Sequence, residues 1–311
     1  MNTLRNISEY IEYNRALGKR YRAHHYILLS FARSIPGTTL QQISPSDISR
    51  FLNHPNNREI TIRKKHQVLD RFFRRMITHG QLTSCPMPTI YWSRHMLLRK
   101  PYIYSEDELR RMLSATNFVS GGGYHIDEAT LRTYILLVYA TGMRTSEALN
   151  LKLLDRDLHQ CLITIRQTKF FKSRLVPLPT SLNSIVSEFI AQRQARRSGE
   201  APLFAKKDGS PLTEAVIQYA FRRLRGLAGI QTKGGSRDQP RLHDLRHSAA
   251  VHRVVAWYRS GADLNDLLPK LATFLGHKDL SSTQHYLTMT DELLMEAGRR
   301  FEIYARGSHH G

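Results

Sequence analysis

Four side chains towards the C-terminal end of the chain have the types and spacing needed for chemistry on a phosphate ester. His243 and Arg246 are three residues apart and therefore share one face of a predicted helix. His277 follows Gly276 directly after an apolar run, as a residue just past a helix C-terminus does, and Tyr286 comes nine positions later. Arginine can bind phosphate through two parallel hydrogen bonds, histidine can move a proton, and a phenolate can attack phosphorus. No Ser or Cys is paired with a base here, so the pattern does not indicate a hydrolase triad.

Two segments upstream of these four residues contain further basic side chains of the kinds that bind phosphate. Residues 140–149 read ATGMRTSEAL, and residues 168–177 read TKFFKSRLVP. Three further pieces lie downstream: the HDLRH motif at 243–247, the LGH corner at 275–277 and the segment around Tyr286. In residue type and order the five pieces match the tyrosine recombinases of the phage-integrase family. The chain therefore resembles that family, from about residue 102 to residue 303.

The resemblance implies a catalytic set of six side chains: Arg144, Lys169, His243, Arg246, His277 and Tyr286. Tyr286 would attack a DNA phosphate while the two guanidiniums each hold a non-bridging oxygen, and one such preorganised donor is typically worth on the order of 10²–10³ in rate. His243 would take the phenol proton, and His277 would add a hydrogen bond. Lys169 would protonate the departing 5′ oxygen. No Asp/Glu cluster is placed to bind Mg²⁺, so we expect a reaction without metal or other cofactor.

Several basic and acidic residues near these motifs have more than one interpretation. Glu147 lies one helical turn from Arg144 and could orient its guanidinium, although a purely structural ion pair is the alternative. Lys169 precedes the predicted hairpin turn and is the favoured catalytic lysine, with Lys172 as its rival on the tip. We predict that Lys172 and Arg174 contact DNA from this basic tip.

A covalent phosphotyrosine keeps the energy of the broken bond, so a second DNA 5′ hydroxyl can attack it without ATP. By resemblance, the partner is a double-stranded recombination site. The protein would bind it as a homo-oligomer, with two protomers per site and four in the synapse, and would pass through a Holliday junction. The function favoured by the motifs is site-specific recombination, for integration or excision of a mobile element.

The composition favours a polyanionic partner. The 311 residues include 46 Lys and Arg against 26 Asp and Glu, which gives a net charge of +20. No apolar run is long enough to span a bilayer, and the first residues lack the apolar core of a signal peptide. Two distant cysteines without zinc spacing indicate reduced thiols and no structural metal. These features predict a cytoplasmic, nucleoid-associated protein with no membrane partner.

The N-terminal part of the chain reads as a basic helical module. The clearest helix runs over 58–79, where apolar residues recur every three to four positions. Its opposite face carries Lys64, Arg71 and Arg75. Residues 1–100 hold 17 of the 46 basic residues but only 5 of the 26 acidic ones. Such a module suits clamping a duplex through its phosphates, and a solvated surface is the alternative.

Composition breaks divide the chain into a helical core-binding domain at 1–83, a basic linker at 84–103 and a catalytic domain at 104–304. Arg99 and Lys100 in the linker are predicted DNA contacts, and the resemblance implies that the two domains form a C-shaped clamp. Residues 305–311 look like a vector-derived tail.

The catalytic domain is predicted to be mainly helical with a small antiparallel β element, so the whole chain is α+β. Ser105 and Glu108 form a capping box that opens a helix. The strands of a hairpin are expected at 161–167 and 175–177. An amphipathic helix over 290–304 would pack on its own domain or dock into a neighbouring protomer.

Two other functions compete with recombination. A type IB topoisomerase uses a similar site to relax supercoils, but the separate basic helical domain argues against it. A DNA-binding regulator could keep the scaffold without catalysis, but the intact set of six side chains argues against that.

Overall fold

The computed structural model of the protein describes residues 3–18, 21–90, 92, 100–121, 123–166, 173–193, 198–235, 238–277, 279, 281–284, 286 and 295. It is mostly helical with one three-stranded antiparallel sheet, which confirms the predicted α+β class. The chain separates into two compact units, the first within Met1–Leu97 and the second within Leu98–Thr168 and Lys172–Gly311. No helix among the described residues is sufficiently long and apolar to cross a membrane.

Where the structure describes it, the first unit has four α-helices around an aromatic core: α1 Thr3–Ala16, α2 Arg22–Ser34, α3 Pro45–Leu52 and α4 Glu59–Thr78. The apolar stripe of α4 is buried, as its spacing predicts, and Phe72 and Phe73 are completely enclosed. Ser44 caps α3 by accepting a hydrogen bond from the amide of Asp47, with Pro45 at the first helical position.

The second unit contains eight further helices in the described residues: α5 Glu106–Ser114, α6 Glu128–Thr141, α7 Thr145–Leu149, α8 Thr180–Ala191, α9 Glu214–Leu227, α10 Asp244–Ser260, α11 Leu264–Leu275 and α12 Ser281–Gln284. The predicted capping box of Ser105 and Glu108 opens α5. α6 is apolar on almost every side and lies in the larger of two cores in this unit. A smaller core joins α10, α11 and Tyr286.

The sheet of the second unit is a hairpin with a short added strand. β1 Arg156–Asp157 pairs with β2 Leu162–Ile165, which pairs with β3 Arg174–Pro177, both antiparallel. In β2 the side chains of Ile163 and Ile165 are buried, as their alternation predicts. β3 begins one residue earlier than the sequence indicates, so Arg174 belongs to the strand and pairs with Ile165 across the ladder.

Candidate active site

Arg246 lies at the bottom of the site and is anchored by two backbone carbonyl groups. It leaves the first turn of α10 with only 2% of its surface exposed. Its Nη1 donates to the carbonyl oxygen of Gly142 at 2.6 Å, and its Nη2 donates to that of Leu275 at 2.8 Å. Burial, followed by the charge of Arg144, lowers the pKa of Arg246 to about 10. The guanidinium therefore keeps its charge at neutral pH.

Gly142 makes this anchoring possible because it brings the end of α6 against α11. It ends α6 in the left-handed region at φ 59°. A Cβ atom at this position would lie 2.5 Å from Leu275 Cδ2. Glycine is thus required both by the backbone conformation and by the close approach.

Arg144 follows directly and is fixed at the start of α7. Its Nη1 donates to Glu147 Oε1 at 2.7 Å, and its Nη2 donates to the carbonyl oxygen of Gly276 at 2.8 Å. Its backbone amide donates to Glu147 Oε2, which closes the capping box of α7. Its side chain is 38% exposed, so this guanidinium, unlike that of Arg246, reaches solvent.

Glu147 is shared between two arginines rather than one. Arg174 reaches it from β3 with two parallel hydrogen bonds, Nη1 to Oε1 at 3.1 Å and Nη2 to Oε2 at 2.8 Å. Burial alone would raise the pKa of Glu147, but the hydrogen bonds from Arg174 and Arg144 outweigh it and lower the pKa to about 2. The carboxylate is therefore ionised and holds Arg144 in one orientation.

Arg174 was predicted to contact DNA from an exposed hairpin tip, but its side chain points into the protein. Its side chain is only 12% exposed, and its Nε donates to the carbonyl oxygen of Phe274 at 3.1 Å. All three nitrogens of the guanidinium are thus engaged inside the protein. The alternation pattern around the hairpin did not show this because the partners Glu147 and Phe274 lie far away in sequence.

The corner between α11 and His277 fits around Arg174. Gly276 ends α11 in the left-handed region at φ 68°, as predicted, and the amide of His277 donates to the carbonyl oxygen of Ala272 at 2.9 Å. A Cβ atom on Gly276 would lie 2.7 Å from Arg174 Nη1. Only glycine lets the corner and the guanidinium pack at this distance.

His277 presents one ring nitrogen to a buried hydroxyl. Its Nδ1 lies 2.7 Å from Oγ1 of Thr283. Burial, followed by the charges of Arg246 and Arg144, lowers the pKa of His277 from 6.5 to about 4. The imidazole is therefore neutral at pH 7. Thr283 carried no motif signal of its own, although it lies only three residues before Tyr286.

Tyr286 is buried in contact with two imidazole rings. Only 2% of its surface is exposed, and its ring stacks on His277 with centroids 6.0 Å apart and an interplanar angle of 25°. The ring of His247 lies 5.7 Å away on a tilted plane. Burial raises the pKa of the phenol, while the charge of Arg246 and a hydrogen bond with it act in the opposite direction. The structure therefore brings Tyr286 and Arg246 together.

His243 occupies the cap position of α10, just before Arg246 enters the helix. Its ring lies 5.0 Å from that of His247 in an edge-on arrangement. Burial, then the charges of Arg246 and Arg144, lower the pKa of His243, so it too is neutral at pH 7. The spacing of His243 and Arg246 thus predicted their joint position correctly, whereas His247 was not singled out.

The predicted DNA-contacting residues are only partly described. Lys64 and Arg71 are exposed on α4, and the guanidinium of Arg75 lies over the ring of Tyr13 at 3.5 Å from its centroid. Lys100 is exposed. Three other predicted basic residues lie outside the described residues: Arg99, Lys169 and Lys172. Of the predicted helix over 290–304, only Met295 is described; it is helical and 70% exposed.

Comparison with known proteins identifies the family. Residues 103–292 match the model of the phage integrase family. The chain belongs to the phage integrase family. A putative integrase/recombinase, y4rB of Sinorhizobium fredii, is 32% identical over 97% of this chain and 98% of its own length. The tyrosine recombinase XerC of Bradyrhizobium diazoefficiens is 33% identical over 51% of this chain and 46% of its own length. This member of the family is therefore a site-specific recombinase.

Solved structures of phage-integrase family members share the fold. The Tn1549 transposon integrase in complex with a circular intermediate DNA aligns with a TM-score of 0.68, at 16% identity, over 96% of this chain and 99% of its own. XerH bound to a palindromic difH substrate aligns at 0.65, with 22% identity over 90% of this chain and 79% of its own. A lambda integrase tetramer bound to a Holliday junction aligns at 0.64, with 19% identity over 93% of this chain and 78% of its own.

The lowered pKa of His277 predicts a pH-dependent loss of stability in the free protein. An unfolded His277 titrates near 6.5 and the folded one near 4, so protonation favours the unfolded chain. The neutral imidazole of His277 therefore stabilises the folded protein fully above pH 6.5, and this stabilisation is lost as the pH falls towards 4. We expect the Tm difference between wild type and His277→Asn, followed by circular dichroism, to shrink over this window. An unchanged difference would contradict the burial of a neutral imidazole.

Proposed function

We propose that the protein cleaves and rejoins DNA strands at a specific site through a 3′-phosphotyrosyl intermediate on Tyr286. The observation that carries the proposal is the position of this phenol, whose ring contacts those of His277 and His247 and which lies beside Arg246. A phenol packed for structural reasons alone does not require a buried guanidinium as its neighbour. A nucleophile that attacks a phosphate does.

The two guanidiniums are suited to hold the non-bridging oxygens of the scissile phosphate. A guanidinium has five N–H groups, and in Arg246 one N–H of each terminal nitrogen is used on a carbonyl. Arg144 is held in the same way by Glu147 and the carbonyl of Gly276. Apart from the N–H group that Arg246 shares with the phenol of Tyr286, the remaining N–H groups are available to bind phosphate. Preorganised donors of this kind are most effective where negative charge grows in the transition state.

Removal of the phenol proton needs a base because burial raises the pKa of Tyr286. We assign this role to His243, whose lowered pKa keeps the imidazole unprotonated at neutral pH. We assign the proton that the departing 5′ oxygen needs to Lys169. Positive charge comes from Arg144, Arg246 and Lys169, so the reaction as proposed needs no divalent ion.

The wider reaction follows from the reversibility of the phosphotyrosine bond. Attack by the 5′ hydroxyl of a second duplex exchanges strands, and two such exchanges pass through a Holliday junction. We propose that the protein acts as two protomers per site and four in the synapse. The likeness to a lambda integrase tetramer on a Holliday junction and to the Tn1549 transposon integrase supports this assembly and a mobile-element role. The proposed location is the cytoplasm, on the nucleoid.

The basic face of α4 is the proposed DNA-binding surface of the first unit. Lys64 and Arg71 are exposed there, and stacking on Tyr13 holds the guanidinium of Arg75 in a fixed direction. Contacts of such residues to phosphates position a protein on a duplex without reading its sequence. We assign the same role to Lys100, Arg99 and Lys172.

The proposal is tested with nicked duplexes that carry the ends of the element next to this gene, since loss of the short fragment traps a cleaved strand. We expect a covalent protein–DNA adduct on a denaturing gel, with the DNA attached to the peptide that contains Tyr286 in mass spectrometry. The adduct should form at the same rate in EDTA and in Mg²⁺, because guanidinium and ammonium groups supply the positive charge.

Each alternative gives a different result in this assay or in a parallel plasmid-relaxation assay. A plasmid that is relaxed without joined recombinant products would indicate a topoisomerase. Tight binding without any adduct would indicate a regulator. A rate that collapses in EDTA and returns with Mg²⁺ would contradict the metal-free reaction.

A further inference from the structure

Thr283 is a buried hydroxyl residue that touches the site but has no place in the proposed chemistry. It lies in α12 and has no exposed surface. Its Oγ1 is 2.7 Å from Nδ1 of His277. The other ring nitrogen of His277, Nε2, is therefore the one left for a phosphate oxygen.

A neutral imidazole can offer Nε2 either as a donor or as an acceptor. If the ring proton is on Nδ1, Nε2 carries a lone pair and would repel a phosphate oxygen. If the proton is on Nε2, the same atom donates a hydrogen bond. A hydroxyl can rotate and donate its proton to Nδ1, which leaves the ring proton on Nε2. Because burial and two arginine charges keep His277 neutral, the position of its single ring proton decides whether Nε2 can donate a hydrogen bond to a phosphate oxygen.

We propose that Thr283 is a positioning residue that holds His277 as the Nε2–H tautomer, ready to donate to a non-bridging oxygen of the scissile phosphate. This inference rests on the proposed function of the site. The hydroxyl of Thr283 must be the donor in its hydrogen bond with His277. Only then is the ring proton on Nε2, where it can be donated to the phosphate.

The placement of Thr283 gives this control a second consequence. Thr283 and Tyr286 are three residues apart in one short segment, and both pack against His277. The ring of His277 is therefore set in its donating form only when the segment that carries the nucleophile is in place. If the segment that carries Thr283 and Tyr286 moved away, the site would lose the phenol, and His277 would lose the hydroxyl that sets its tautomer.

The test compares Thr283→Val with Thr283→Ser, because valine keeps the shape and removes the hydroxyl while serine keeps the hydroxyl. We expect Thr283→Val to slow single-turnover cleavage of prebound nicked duplex by on the order of ten- to a hundredfold, with DNA affinity unchanged. Thr283→Ser should restore most of the rate. Thr273→Val on the exposed side of α11 is the matched control and should cleave at the wild-type rate.

Two further readouts separate tautomer control from simple packing. In a His277→Ala background, Thr283→Val should have no additional effect, because the ring it orients is gone. Long-range ¹H–¹⁵N spectra of histidine-labelled protein should show His277 protonated on Nε2 in wild type and as a mixture of tautomers in Thr283→Val.

The proposal is overturned if Thr283→Val slows cleavage equally with and without His277, if serine does not rescue, or if wild-type His277 carries its proton on Nδ1. Wild-type protein that forms no adduct would instead refute the proposed function. The spectra would still report the tautomer in that case, so the two failures are distinguishable.

Discussion

Tyr286→Phe is expected to abolish the covalent adduct while leaving DNA binding intact. The substitution removes only the hydroxyl, and the ring should keep its contacts with His277 and His247. Loss of a covalent nucleophile typically costs on the order of 10⁶ in rate, so no adduct should be visible on a denaturing gel.

Tyr219→Phe provides the matched control because it removes a hydroxyl from an exposed tyrosine on α9. It should form adduct at the wild-type rate. Gel-shift titration of both variants should give the wild-type Kd. If adduct persists in Tyr286→Phe, another side chain attacks the phosphate and the assignment of the nucleophile is wrong.

Local sequence signals predicted the framework of the fold accurately. Ser44 and Ser105 cap helices as their spacing to Asp47 and Glu108 indicates, because capping depends on residues within one turn. Gly276 ends α11 for a similarly local reason. The two-residue strand β1 was missed, since two residues show no alternation that could distinguish a strand from a loop.

The candidate site was predicted in its residue types and in the pairing of Glu147 with Arg144, but not in its other supporting contacts. The order of motifs placed Arg144, His243 and Arg246 correctly near one another. The sequence did not show that Arg174 turns inward, because its partner Glu147 is 27 residues away and no local pattern records that pairing. Thr283 was missed for the same reason: an unremarkable threonine becomes informative only when His277 lies beside it.

The acceptors that hold the two arginines share one physical role, although only the pairing of Glu147 with Arg144 was predicted from the sequence. Glu147 and the backbone carbonyls of Gly142 and Gly276 accept hydrogen bonds from Arg144 and Arg246. They occupy some N–H groups so that the others point in one direction. A cation that must bind an anion quickly benefits from acceptors that fix it beforehand, because no reorganisation is then needed during the reaction.

Arg246→Lys is expected to slow cleavage by on the order of 10²–10³ although the charge is retained. A lysine ammonium is a compact group with three donors and no planar fork, so it cannot bind both Gly142 and Leu275 carbonyl oxygens and still face a phosphate. A carbonyl left without a donor in this buried position should also cost about 1–3 kcal/mol of stability. Single-turnover cleavage and urea unfolding measure the two effects separately.

Arg132→Lys is the matched control, because Arg132 also donates to a backbone carbonyl, that of Leu113, but from an exposed position on α6. It should leave the cleavage rate unchanged and alter stability little. The comparison isolates geometry from charge, since both variants replace arginine by lysine. If Arg246→Lys cleaves as fast as Arg132→Lys, the charge alone suffices, and the two-carbonyl anchor has no part in holding the phosphate. If it is slow but as stable as wild type, the anchor serves catalysis rather than folding.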